Sequence, residues 1–70
     1  MVNAAQIKGQ MEVNGSDGKH IGTVDGMEGQ RLRLASGGMY HYINLEAVES
    51  VKGGTVHLNK TAEETTRTWH

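Results

Sequence analysis

Two hydrophobic periods meet in one stretch of the chain, HIGTVDGMEGQRLRL at residues 20–34. Ile21, Val24 and Met27 stand three apart, as on one face of a helix, whereas Leu32 and Leu34 stand two apart, as on one face of a strand. A helix through the whole stretch would hold Gly22, Gly26 and Gly29 in its interior, a loss of about 3 kcal/mol against alanine at ~1 kcal/mol each. The strand reading prevails. It requires one extra residue between Ile21 and Val24 if both are to face the same side, and a β-bulge at Gly22 supplies that residue and bends the strand.

The same alternation marks the other elements. In VESVKGGTVHL, Gly53 and Gly54 separate two β-rich runs and suit a two-residue type I′ turn, which sets Val51 opposite Val56. Strands are predicted at 10–14, 19–28, 30–35, 39–43, 48–52 and 55–59. Between them, SDGK at 16–19, MEGQ at 27–30 and SGG at 36–38 form turns. NLEAV reads as one helical turn capped by Asn44, with Leu45 and Val48 facing inward. Near the start, Asn3 and Gln6 have the spacing of a capping box, so AAQI forms a turn that brings Ile7 onto the sheet. At the other end, Thr61 is an N-cap with Glu64 three residues on, and Glu63 is placed to pair with Arg67, giving a short helix from 62 to about 68. Such a helix is too short to stand alone and must dock, with Trp69 as the large apolar group to pin it.

These patterns predict a core of Ile7, Met11, Val13, Ile21, Val24, Leu32, Leu34, Ile43, Leu45, Val48, Val51, Val56 and Leu58. Composition agrees with a mostly β chain: ten glycines, no proline and no phenylalanine in 70 residues. The length holds a single domain, residues 1–70. A bent second strand lets the sheet curl into a small, partly closed barrel of five or six strands with a short C-terminal helix.

Charge and chemistry narrow the function by exclusion. Seven Lys and Arg against eight Asp and Glu give a formal net charge of −1, so no field steers the chain to nucleic acid or to an anionic membrane. The absence of cysteine removes disulfides, thiolate metal sites and a cysteine nucleophile. MVNAAQIKGQ has neither the basic start nor the apolar stretch of a signal peptide, and no apolar run approaches a membrane span; the cytoplasm is the expected location. His57 points outward, His41 lies inward near a rim, His20 falls in a turn and His70 is terminal, so the histidines do not converge on a metal. Ser16 and Ser36 sit in glycine-rich turns without the strand-to-helix elbow of a nucleophile. Asp17, Asp25 and Glu28 match no calcium-binding loop. The expectation is a chain with no catalytic residue, no metal and no cofactor.

GQMEVNGSDGKHIGTVDGMEGQRLRL followed by HYINLEAVESVKGGTVHLNKTAEE resembles the PRC-barrel superfamily, in particular its short, stand-alone bacterial branch classed as a domain of unknown function. GKHIGTV, HYINLEAV and VHLNKTAEE carry the resemblance, which covers nearly the whole chain. The chain departs from that branch at Asn44, where proline is usual, and in a shorter loop before the His41 strand. The resemblance implies docking or assembly and supplies no catalytic residues.

Two groups of residues remain as interaction candidates. With His41 and Ile43 facing in, Tyr40 and Tyr42 face out beside Met39; either the terminal helix and Trp69 cover these rings within one chain, or Tyr40, Tyr42 and Trp69 contact another molecule. A core this small, without disulfide or metal, favours a homo-oligomer formed through the tyrosine strand or a sheet edge, together with a protein partner. The alternative is an RNA- or ribosome-associated factor using a small basic face of Lys19, Arg31 and Arg33, although three cations without interleaved aromatics are also an ordinary wet face.

Overall fold

The computed structural model describes residues 7–69; the predicted Asn3–Gln6 capping box lies outside them. Six strands follow in order: β1 (Glu12–Asn14), β2 (His20–Glu28), β3 (Arg31–Ser36), β4 (Met39–Asn44), β5 (Val48–Lys52) and β6 (Thr55–Leu58). A 3₁₀ turn, Leu45–Ala47, joins β4 to β5, and α1 (Ala62–Thr68) closes the described chain. The fold is mostly β, one mixed sheet in the order β4-β3-β2-β1-β6-β5. It is not closed, so β4 and β5 are its two edges.

Local turns dictate most of this order. Gly37 and Gly38, like Gly53 and Gly54, have positive φ at both turn positions, so each pair reverses the chain in two residues and fixes a hairpin register. Ser36 then faces Met39, Lys52 faces Thr55 and Val51 faces Val56. β1 is different. It lies antiparallel to β2 and parallel to β6, with Val13 between Gly22 and Val56, and so joins the β2–β4 meander to the β5–β6 hairpin. β1 starts at Glu12, later than the sequence suggests, because Gly9 and Gln10 form a turn with Gln10 at φ +70°.

The spacing of Ile21, Val24 and Met27 has a double cause. Against β1 the register slips so that Ile21 is the extra residue between the Gly22–Val13 and His20–Asn14 pairs. Against β3 it slips again at Asp25, between the Val24–Leu34 and Gly26–Arg33 pairs. The bulge expected at Gly22 falls one residue earlier, at Ile21, and a second at Asp25 carries the same spacing on to Met27. Gly22 itself marks a close approach, since a Cβ there would overlap the carbonyl oxygen of Ala35.

Among the described residues ten apolar side chains are buried: Ile7, Val13, Ile21, Val24, Leu32, Leu34, Ile43, Val48, Val56 and Leu58, with Met11, Met27, Leu45, Val51, Ala62 and Trp69 packed against them. At α1 the Thr61 side chain accepts from the Glu64 N–H, the Glu64 carboxylate accepts from the Thr61 N–H, and Arg67 pairs with Glu63 at 2.6 Å. Asn44 occupies the N-cap position of the 3₁₀ turn but makes no side-chain capping bond, contrary to expectation. The turn is instead held by the Leu45 N–H donating to the Gln30 carbonyl, 2.8 Å away, and by Asn59 Nδ2 donating to the Glu46 carbonyl.

Candidate functional site

The feature that separates this sheet from a closed barrel is its exposed edge at β4. In a two-residue hairpin the residues flanking the turn are hydrogen-bonded to each other, and bonded and non-bonded pairs then alternate. Met39, His41 and Ile43 therefore bond to β3, while the N–H and C=O of Tyr40, Tyr42 and Asn44 turn toward the open edge. The Leu45-to-Gln30 bond falls where this alternation puts it. β4 carries no charged residue, and Met39 and Tyr40 are 62% and 61% exposed, the large hydrophobic side chains that stand out on the described surface.

The outer face next to Tyr40 is organised by Arg33. Its guanidinium lies 2.7 Å from an Asp25 carboxylate oxygen, 3.5 Å from Glu28 and 5.8 Å from the centre of the Tyr40 ring, and the Tyr42 hydroxyl donates to Glu28 at 2.5 Å. The neighbouring Tyr42 hydroxyl, and then the Asp25 charge, push the Arg33 pKa further up. Tyr42 is thereby fixed, whereas Tyr40 stays exposed.

At the other end of β4 the sheet opens into a cleft. A cavity of about 330 Å³ is bordered by Arg31, Tyr42, Asn44, Glu46, Lys60 and Trp69, among others. Trp69 stacks on His41 with ring centroids 3.8 Å apart and planes 5° from parallel, which anchors the end of α1 over the inner side of β4. The helix start is held separately, by Asp17, whose carboxylate accepts from the Ala62 N–H. Partial desolvation pushes the Asp17 carboxyl up, but the bonds from the Ala62 and Lys19 N–H groups outweigh it and hold the pKa below its usual value.

Residues 7–66 match the family described as uncharacterized proteins conserved in bacteria, DUF2171. The chain belongs to DUF2171. No curated protein is similar enough to count as a match.

In this DUF2171 domain the three proposed interface residues fall into two settings: Tyr42 and Trp69 border the cleft, and Tyr40 lies apart on the exposed face. The basic residues are not brought together. Lys19 precedes β2 while Arg31 pairs with Glu28 at its far end, and Arg33 is engaged by Asp25 and Glu28. Ser36 donates to the Ile21 carbonyl at 2.8 Å as a plain structural hydroxyl. His20 is the first residue of β2 rather than part of a turn.

Sequence reasoning missed one juxtaposition. Because β1 pairs with both β2 and β6, His20, Asn14 and His57 form a row across three strands, continued by Ser50 on β5. Asn14 Oδ1 is buried there without a hydrogen-bond partner among the described residues. No local signal announces this row, since β1 and β6 are more than forty residues apart. Among the described residues no three His, Cys, Asp or Glu side chains are grouped to hold a metal, and no helix is long and apolar enough to cross a membrane.

Proposed function

We propose that this DUF2171 domain is a non-enzymatic assembly module with a PRC-barrel-like fold that self-associates through β4 and uses the same aromatic strand to dock on a further protein in the cytoplasm. The observation that carries the reading is the contrast between the two edges of the sheet. β5 has the features that discourage edge pairing: Glu49 and Lys52 are exposed along it, and its register with β6 is broken between Val48 and Ser50. β4 has none of them. It is uncharged, its pairing with β3 is regular from Met39 to Asn44, and it exposes Met39 and Tyr40 beside free backbone groups. Adding a strand from another chain satisfies those groups and covers the apolar side chains.

The PRC-barrel reading draws its support from the six-strand mixed sheet followed by a single short helix. The RNA reading draws little support from a dispersed set of cations of which Arg33 is already paired.

Absolute mass by light scattering across a concentration series, beside a variant carrying Tyr40→Ser and Tyr42→Ser, tests the proposal. A native dimer or larger species with a folded monomeric variant is expected. Two stable monomers would exclude self-association and make a screen for RNA or protein ligands the next step.

A further inference from the structure

We propose that the cleft at the open mouth of the sheet is a binding site for a small organic anion, a carboxylate or phosphate group carried on a flat apolar body. The proposal does not rest on self-association, although the cleft meets the β4 edge at Tyr42 and Asn44; Met39 and Tyr40 lie outside it.

Three observations converge on this chemistry. The first is size and shape: about 330 Å³ lies between the end of β4, the 3₁₀ turn, Asn59 and Lys60, and the face of α1 that carries Thr65, Thr68 and Trp69. That volume lies at the lower end of the roughly 300 to 1,000 Å³ that ligand sites occupy.

The second is charge. Arg31 and Lys60 both border the cavity, and neither has a carboxylate within ion-pair distance among the described residues, whereas Arg33 and Arg67 are both paired. Glu46 also borders it, so the described lining residues hold two cations against one carboxylate on a chain whose net charge is −1. This local excess of one positive charge suits an anion of low charge. A guanidinium offers a carboxylate or phosphate two parallel hydrogen bonds, and a nearby ammonium adds a point charge.

The third is the mixture of flat and polar groups on the walls. Trp69, held in orientation by its stack on His41, supplies an aromatic surface. The Asn44 side chain makes no capping bond to the turn, which leaves its amide to a ligand, and Asn59 uses its Nδ2 on the Glu46 carbonyl and keeps its Oδ1. Cationic groups, an aromatic wall and spare amides in one cavity match a flat body with one anionic substituent, and serve poorly for a neutral or cationic molecule.

Trp69 is the sole tryptophan of the chain, so its emission reports directly on the cleft. Benzoate and phenyl phosphate are the probes, with benzyl alcohol as the uncharged counterpart and inorganic phosphate as the anion without a flat body. Backbone amide shifts at Asn44, Asn59 and Lys60 give a second readout if the emission is insensitive. The expected result is saturable binding of at least one aromatic anion in the millimolar range or tighter. The carboxylate and phosphate arms identify the preferred head group. A variant with Arg31→Gln and Lys60→Gln is expected to bind at least tenfold more weakly, while Arg67→Gln on the outer side of α1 binds as the native chain does. Absence of saturable change in both readouts, equal binding of benzyl alcohol, equal binding of inorganic phosphate and phenyl phosphate, or undiminished affinity in a folded double variant would each overturn the proposal.

Discussion

His41 and Trp69 lie face to face, 3.8 Å between ring centroids and 5° from parallel. Through this stack a seven-residue helix, far below the length at which helices persist alone, is tied to an edge strand. Trp69 also packs on the core and donates its backbone N–H to the Thr65 carbonyl, so one residue ends the helix and docks it. Trp69→Ala is therefore expected to cost about 2 kcal/mol, below the ~3–5 of a fully buried aromatic because the indole is only half-buried. Urea unfolding measures the loss, and the amides of α1 should lose exchange protection before those of the sheet.

Gly22 and Gly26 both lie in β2 but make opposite demands. A Cβ at Gly22 would enter the space of the Ala35 carbonyl, with Leu34 and Ser36 close behind, whereas at Gly26 the nearest atom is the end of the Arg33 side chain at 3.7 Å. Gly22→Ala is expected to destabilise by about 1–3 kcal/mol or more, since backbone would have to move, and Gly26→Ala to change stability by under about 0.5 kcal/mol. For a domain of this size each kcal/mol moves the Tm by roughly 4–8 °C, so differential scanning calorimetry separates the two.

The start of α1 is held twice. Thr61→Ala removes the oxygen that accepts from the Glu64 N–H and is expected to cost about 1 kcal/mol. Glu64→Gln, which preserves the reciprocal bond to the Thr61 N–H, should cost less than that truncation.

Asp17 adds a pH dependence of known sign. Its carboxyl has a lowered pKa in the folded chain, so its contribution is fully present above the unfolded value of about 3.9 and disappears as the pH falls through the lower folded value. Asp17→Asn should be less stable than the native chain at pH 7, with the gap narrowing as both are titrated below about pH 4. Urea midpoints at several pH values decide it; a gap independent of pH would show that the carboxylate charge plays no part.

What could be read from the sequence was what neighbouring residues determine. Gly53 and Gly54 fixed a turn and with it the Val51–Val56 pair, Thr61 and Glu64 marked the helix start, and the alternation of Leu32 and Leu34 showed which face of β3 is buried. The triplet spacing of Ile21, Val24 and Met27 pointed to a bulge, but one sequence pattern cannot tell one bulge from two; the second, at Asp25, depends on register with β3. The features that escaped are non-local. The parallel pairing of β1 with β6 brings His20 and His57 to either side of Asn14, and the length of β2 separates Lys19, which precedes it, from Arg31, which opens β3 beside its far end. Asn44 has the right residue type for a cap, yet the turn is held from Gln30 and Asn59 instead. The cleft likewise depends on where a sheet fails to close, which only the assembled strand order reveals.

Whether β4 pairs with a strand of another copy is read from amide hydrogen exchange, residue by residue, across a protein-concentration series. Self-association through this edge predicts that the amides of Tyr40 and Tyr42, which face away from β3, gain protection as concentration rises, while those of Met39 of the same hairpin, His41 and Ile43 change little. Fast exchange at Tyr40 and Tyr42 at every concentration, in a sample whose β3 amides remain protected, would contradict it.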